Sequence, residues 1–142
     1  MTALSHCSRS DPLLACAGCG ESYRADIWLV VDVAERPDLA AKICQGTLHT
    51  GICPQCGEAQ VVDMGLLVFR PYGNPALLFS PAQATTPEED QDQARGLLNL
   101  LYQTMPDEWQ DEWLLGFGPL PRETLVEMLA GEADERGFLR PF

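Results

Sequence analysis

Hydrophobic and polar positions along the chain change period near its middle. Ser22 to Val33 is aromatic and β-branched, with Tyr23, Ile27, Trp28, Val30, Val31 and Val33, and this predicts one long strand. Pro37 to Cys44 predicts a helix. Pro37 suits its first turn, Leu39 and Ile43 fall four apart on one face, and Gly46 can end it. Thr47 to Ile52 and Ala59 to Asp63 predict two further strands. Gly65 to Arg70 and Ala76 to Ser80 predict a hairpin around Pro71-Tyr72-Gly73-Asn74-Pro75.

Beyond Pro81-Ala82-Gln83-Ala84-Thr85, read as a linker, the period becomes helical. Thr86, Pro87 and Glu89 match an N-cap, a first-turn proline and the far half of a capping box. Ala94, Leu97, Leu98, Leu101, Tyr102 and Met105 then share one face, and Pro106 stops the pattern. Asp107 with Gln110 predicts a short helix on which Trp109 and Trp113 share a face, ended by Gly116 and Gly118. Pro121 to Ala130 predicts a last helix, with Leu125, Met128 and Leu129 inward and Gly131 as its stop. The expected fold class is α+β: a zinc-ribbon-like antiparallel sheet with an inserted helix over residues 1–80, then a helical region over 81–142.

Charge separates these halves. Of the net −12, residues 1–80 carry −3 and residues 81–142 carry −9. Such a chain repels phosphate backbones unless its cations cluster. Arg9, Arg24, Arg36, Lys42 and Arg70 are scattered in sequence, which argues against nucleic acid binding. No basic start precedes an apolar run at the N-terminus, and the longest strongly apolar stretch is Leu66 to Phe69. We therefore expect no membrane span and a cytoplasmic location.

The specific chemistry lies in the cysteines. Cys16-Ala17-Gly18-Cys19-Gly20 and Cys53-Pro54-Gln55-Cys56-Gly57 each place two thiols on one tight turn. Glycine after the second cysteine permits a positive φ, which lets backbone N–H groups turn toward sulfur. Two such turns facing each other supply the four soft ligands of a closed tetrahedral zinc site, so Cys16, Cys19, Cys53 and Cys56 are the expected ligands. The alternative is a set of free or redox dithiols, but neither pair opens a helical pattern as a thioredoxin-like motif does. Cys44 reads as a small buried apolar residue, Cys7 as a free thiol in an N-terminal tail beside His6, and His49 as a surface strand residue or a satisfied core histidine.

The stretch from Cys16 to about Ser80 resembles the CpXC domain. The resemblance is carried by Cys53-Pro54-Gln55-Cys56, the strand ending Val30-Val31-Asp32-Val33, the helix near Asp38-Leu39-Ala40, the step Gly46-Thr47-Leu48, and Leu66-Leu67-Val68-Phe69. The first knuckle lacks the proline often found there. The resemblance implies a bacterial or archaeal protein that binds zinc and has no established biochemical activity.

No phosphate-loop, dinucleotide, zinc-protease or serine-hydrolase motif occurs, and His6 and His49 are the two histidines. The acidic groups at 88–90 and 107–108 fit helix N-termini. Trp109, Trp113, Phe117, Phe138 and Phe142 either pack between the helices or form a partner surface, docking on this chain, a second copy or another protein. The expected function is a non-catalytic adaptor or interaction module. The alternatives are a nucleic-acid-associated ribbon, needing Arg24, Arg36, Lys42 and Arg70 on one face, and an enzyme whose site lies in a pocket between the halves.

Overall fold

A computed structural model describes residues 6–71, 73, 76–115 and 117–136. The elements run β1 (Ser8–Ser10), β2 (Leu13–Ala15), β3 (Ser22–Arg24), β4 (Ile27–Asp32), α1 (Pro37–Gln45), β5 (Thr50–Ile52), β6 (Ala59–Val61), β7 (Leu66–Phe69), β8 (Leu77–Ser80), α2 (Pro87–Thr104), a short 3-10 helix (Asp111–Leu114) and α3 (Arg122–Arg136). The α+β expectation holds. A four-stranded sheet has the order β1-β4-β7-β8, and two small hairpins, β2–β3 and β5–β6, stand beside it. Among the described residues four of the five strand pairings are antiparallel, but within the main sheet β4 and β7 run parallel, with Val31 opposite Val68. Parallel neighbours need a crossover, and here α1 and the β5–β6 hairpin form it.

Every residue of β7 and β8 is buried. Their side chains alternate between two clusters, because successive residues of a strand face opposite ways. Leu66, Val68 and Leu78 join Leu39 and Ile43 of α1 and Leu125 and Leu129 of α3. Leu67, Phe69, Leu77 and Phe79 join Leu97, Leu101 and Met105 instead. Helices therefore cover both faces of the sheet, and residues beyond 80 complete the core begun before it. Burial of a Leu, Val or Phe side chain stabilises by about 1.5–3 kcal/mol, so these layers dominate the fold's cohesion.

The helix caps follow the sequence. Thr86 Oγ1 accepts the Glu89 N–H at 3.2 Å, and the Glu89 carboxylate accepts the Thr86 N–H at 3.1 Å. Pro37 opens α1, and Gly46 ends it at φ 76°, a left-handed conformation that costs glycine nothing. Other expectations are corrected. The long strand breaks at Ala25-Asp26, because β3 pairs with β2 in a hairpin while β4 belongs to the main sheet. Asp107 to Gln110 is not helical; only Asp111–Leu114 forms a 3-10 turn, preceded by Gln110. Gly131 does not stop α3, which continues through helix-favouring Glu, Ala and Arg. Of the residues placed on one face of α2, Leu97, Leu101 and Met105 are buried, whereas Tyr102 is 44% exposed.

Cys7 is not in a tail. It is buried at the start of β1 and packs in the α1–α3 cluster, where burial pushes its thiol up. Cys44 is half-buried against the same cluster, and burial raises its thiol too. Trp109, Trp113 and Phe117 pack half-buried beside the α2 cluster, with Trp113 4.8 Å from Phe69 and Phe117 stacked 6.0 Å from Phe79. Phe138 and Phe142 lie outside the described residues, as do Gly116 and much of the Pro71–Pro75 turn. Among the described residues, no helix is long and apolar enough to cross a membrane.

Candidate metal centre

Each cysteine pair sits at the tip of its own hairpin. In the first, Cys16 N–H donates to Glu21 O and Gly20 N–H to Cys16 O, both at 2.9 Å. The second repeats this: Cys53 N–H donates to Glu58 O at 3.0 Å and Gly57 N–H to Cys53 O at 2.8 Å. Gly20 and Gly57 take φ of 78° and 77°, as the spacing requires. These turns aim amides at sulfur: Cys16 Sγ accepts the N–H of Gly18 at 3.4 Å and of Cys19 at 3.5 Å.

The two tips meet. Cys16 Sγ lies 3.5 Å from Cys56 Sγ, and Cys19 Sγ lies 3.6 Å from Cys53 Sγ. All four sulfurs fall within 4.8 Å of one another. Both close contacts cross from one knuckle to the other, and both far exceed the roughly 2.05 Å of a disulfide. Sulfurs about 2.3 Å from a central ion would form a tetrahedron with edges near about 3.8 Å, so the spacing fits a four-thiolate cation site. Cys16 and Cys53 are buried, whereas Cys19 and Cys56 reach the surface. The N–H of Cys56, aided by that of Gln55, holds the Cys53 thiol down at about 7, which favours the thiolate a metal needs. The Glu21 amide pulls Cys19 down as well, but burial and the sulfurs of Cys53, Cys16 and Cys56 outweigh it and push that thiol up to about 12. Four thiols this close cannot all ionise without a cation among them.

Two contributors escaped the sequence reading. Gly51, in β5, lies against the first hairpin, and a Cβ there would stand 2.8 Å from Leu14 Cδ1 and 3.0 Å from the Tyr23 hydroxyl. Glycine here keeps the seam between the two hairpins close; a side chain would make Leu14 and Tyr23 shift. Tyr23, Ala25 and Ile27 pack with Cys16 and Cys53 into the small apolar cluster beneath the site. The second contributor is Glu58, whose carboxylate comes within 3.8 Å of Cys16 Sγ. A strand alternation hides Gly51's role, since pairing between distant hairpins leaves no local signal.

His49 takes no part in the sulfur cluster. It is buried, its Nε2 lies 2.6 Å from Trp28 O, and burial pushes its pKa down. It lines a cavity of about 560 Å³ with Asp63, Met64, Ser80, Arg122 and Val126. There Arg122 donates to Ser80 Oγ and Met64 O, each at 3.0 Å, and burial lowers its pKa. Of the scattered cations, Arg9 and Arg24 line one small cleft with Asp11 and Asp26. Arg70 is buried, Arg36 binds Asp38, and Arg24 donates to Asp11 O.

Neither the curated proteins nor the solved structures yielded a match to this chain. A protein-family comparison matched residues 14–124 to the family described as CpXC protein. The matched span holds both knuckles and strands β4, β7 and β8 of the sheet, and runs through α2 into α3, well past Ser80. With over half its length matched and four clustered cysteines at its centre, the chain belongs to the CpXC family.

Proposed function

We propose that this protein is a zinc-stapled interaction module without catalytic activity, working in the reducing cytoplasm. The meeting of four sulfurs within 4.8 Å of one another, with crossing contacts of 3.5 and 3.6 Å, carries the zinc reading. An all-thiolate tetrahedron suits zinc among common cellular ions and leaves no open position for a substrate, which favours a structural role. Metal analysis of protein purified under reducing conditions should return about one zinc per chain. A metal-free sample whose knuckle hairpins remain ordered would refute the assignment.

The partner reading draws on the surface around the 3-10 helix. Leu115 is 77% exposed, and Leu114 and Tyr102 are exposed beside it. Tyr102 meets Trp109 edge-on at 5.6 Å, and Trp109 meets Trp113 at 5.3 Å, so an aromatic ladder leads from the surface to Phe69. Asp107, Glu108, Asp111 and Glu112 surround it, so the fitting partner is a protein with an apolar groove rimmed by basic residues. Cross-linking in the native host should yield one stoichiometric partner with the wild type and none with Leu115→Asp. Equal recovery with both would place the contact elsewhere.

A second reading, a site between the halves, is favoured by the cavity holding His49, Asp63 and Arg122. It predicts that a metabolite stabilises the wild type against heat but not Arg122→Gln. Failure of every compound in a broad panel would dismiss it.

A further inference from the structure

A second group of metal-ligating side chains gathers where β4 ends. Asp32 is 3% exposed. Its Oδ1 accepts the N–H of Ala34 at 2.9 Å and of Glu35 at 3.3 Å. Those bonds fix the carboxylate plane and aim Oδ2 at His6 Nδ1, 2.7 Å away. Glu35 Oε2 lies 3.9 Å from the same nitrogen and accepts the His6 backbone N–H at 2.8 Å. The antiparallel pairing of Ser8 with Val30 brings His6 to this place. Cys7, the next residue, anchors the segment by accepting the Asp32 N–H at 3.3 Å.

We propose that His6, Asp32 and Glu35 form a mixed nitrogen–oxygen site for a divalent cation of the manganese class, separate from the sulfur cluster. One ligand atom from each lies within 4.8 Å of the other two. Ligands about 2.1 Å from one ion, at right angles, stand about 3.0 Å apart, so the observed 2.7 and 3.9 Å need only small side-chain shifts. The His6 ring holds Asp32 Oδ2 and the His6 backbone N–H holds Glu35 Oε2, so one histidine gathers both carboxylate oxygens beside its own Nδ1. The backbone donors on Asp32 act as the outer shell that holds a ligand in one pose. His6 and Glu35 are partly exposed, which gives an ion and its remaining waters a way in. Arg36, the nearest guanidinium in sequence to Glu35, is engaged by another carboxylate: it binds both Asp38 oxygens and lies 5.1 Å over Trp28.

Ligand chemistry separates the two sites, because thiolates select zinc while imidazole and carboxylate accept manganese. The test is titration of the zinc-loaded full chain with Mn²⁺, read by the loss of the free-ion EPR signal and by paramagnetic broadening of assigned NMR resonances. The expected result is one Mn²⁺ per chain, with broadening centred on His6, Asp32 and Glu35. Glu35→Gln retains an acceptor for the His6 N–H and should raise the dissociation constant about tenfold or more, with zinc content unchanged. His6→Gln should do the same. Absence of Mn²⁺ binding at millimolar concentration, equal binding in wild type and both variants, or broadening centred on Glu88 to Asp90 would each overturn the proposal.

Discussion

The knuckle hairpins and the main sheet solve the same problem by different means. The strands of the hairpins are three residues long, and their residues alternate between inside and outside. Beneath them, among the described residues, the buried cluster is Cys16, Tyr23, Ala25, Ile27 and Cys53. In the sheet, β7 and β8 are buried throughout and sandwiched by α1 and α3 on one side and α2 on the other. Isolated two-stranded hairpins are marginal in water, whereas a sheet covered on both faces is not. The difference teaches that hydrophobic burial holds the sheet, and that the hairpins depend on whatever ties the four sulfurs together.

The sharpest way to break this contrast is to remove the metal. Cation binding at such sites in small peptides is worth roughly 10–16 kcal/mol, the largest single quantity here. Chelation, or Cys53→Ser, should speed amide exchange in β2, β3, β5 and β6 by orders of magnitude while β4, β7 and β8 keep their protection. Cys44→Ser should leave the metal in place. Uniform loss across both regions would erase the distinction. The converse substitution, Leu78→Ala, opens a cavity between the sheet and α1–α3. It should lower unfolding free energy by about 2–5 kcal/mol in denaturant titration, with metal content unchanged.

Gly51→Val tests the seam between the hairpins. The added side chain meets Leu14 and Tyr23, so a cost of about 1–3 kcal/mol is expected, together with faster release of any metal the four sulfurs hold to a chelating dye. Unchanged release would mean the hairpins need not touch. The smallest effect concerns His49. Burial lowers its pKa in the folded state, so the unfolded chain binds the proton first as pH falls. Its contribution is fully present above about 6.5 and is lost as acid drops the pH below that value. The wild type should lose more stability than His49→Gln between pH 7.5 and 5.5; equal losses would show the imidazole is not held neutral.

Much of this was readable in the sequence because the signals were local. Cys-x-x-Cys-Gly specifies a turn, a positive φ and two thiols within five residues, and both knuckles take that form. Thr86, Pro87 and Glu89 likewise specify a cap by contacts three residues apart. What escaped depends on distant pairing. The strands β1 and β2 are three residues each, too short for a period, and β1 is held by β4. The same pairing buries Cys7 and carries His6 to Asp32. The parallel register of β4 and β7 is set by the crossover and not by either strand's own sequence. Residues 22–33 read as one strand because hydrophobicity does not reveal that two sheets compete for it; the break at Ala25-Asp26 divides them.

The crossing contacts, Cys16 to Cys56 and Cys19 to Cys53, have a mechanical meaning. The second knuckle rides on the excursion between two parallel strands, while the first precedes them in the chain. Once a cation is bound, peeling that excursion from the N-terminal hairpin requires rupture of metal–sulfur bonds rather than unzipping of amides. A bound ion would thus clasp the chain across its own crossover, joining the excursion to the segment that precedes both parallel strands.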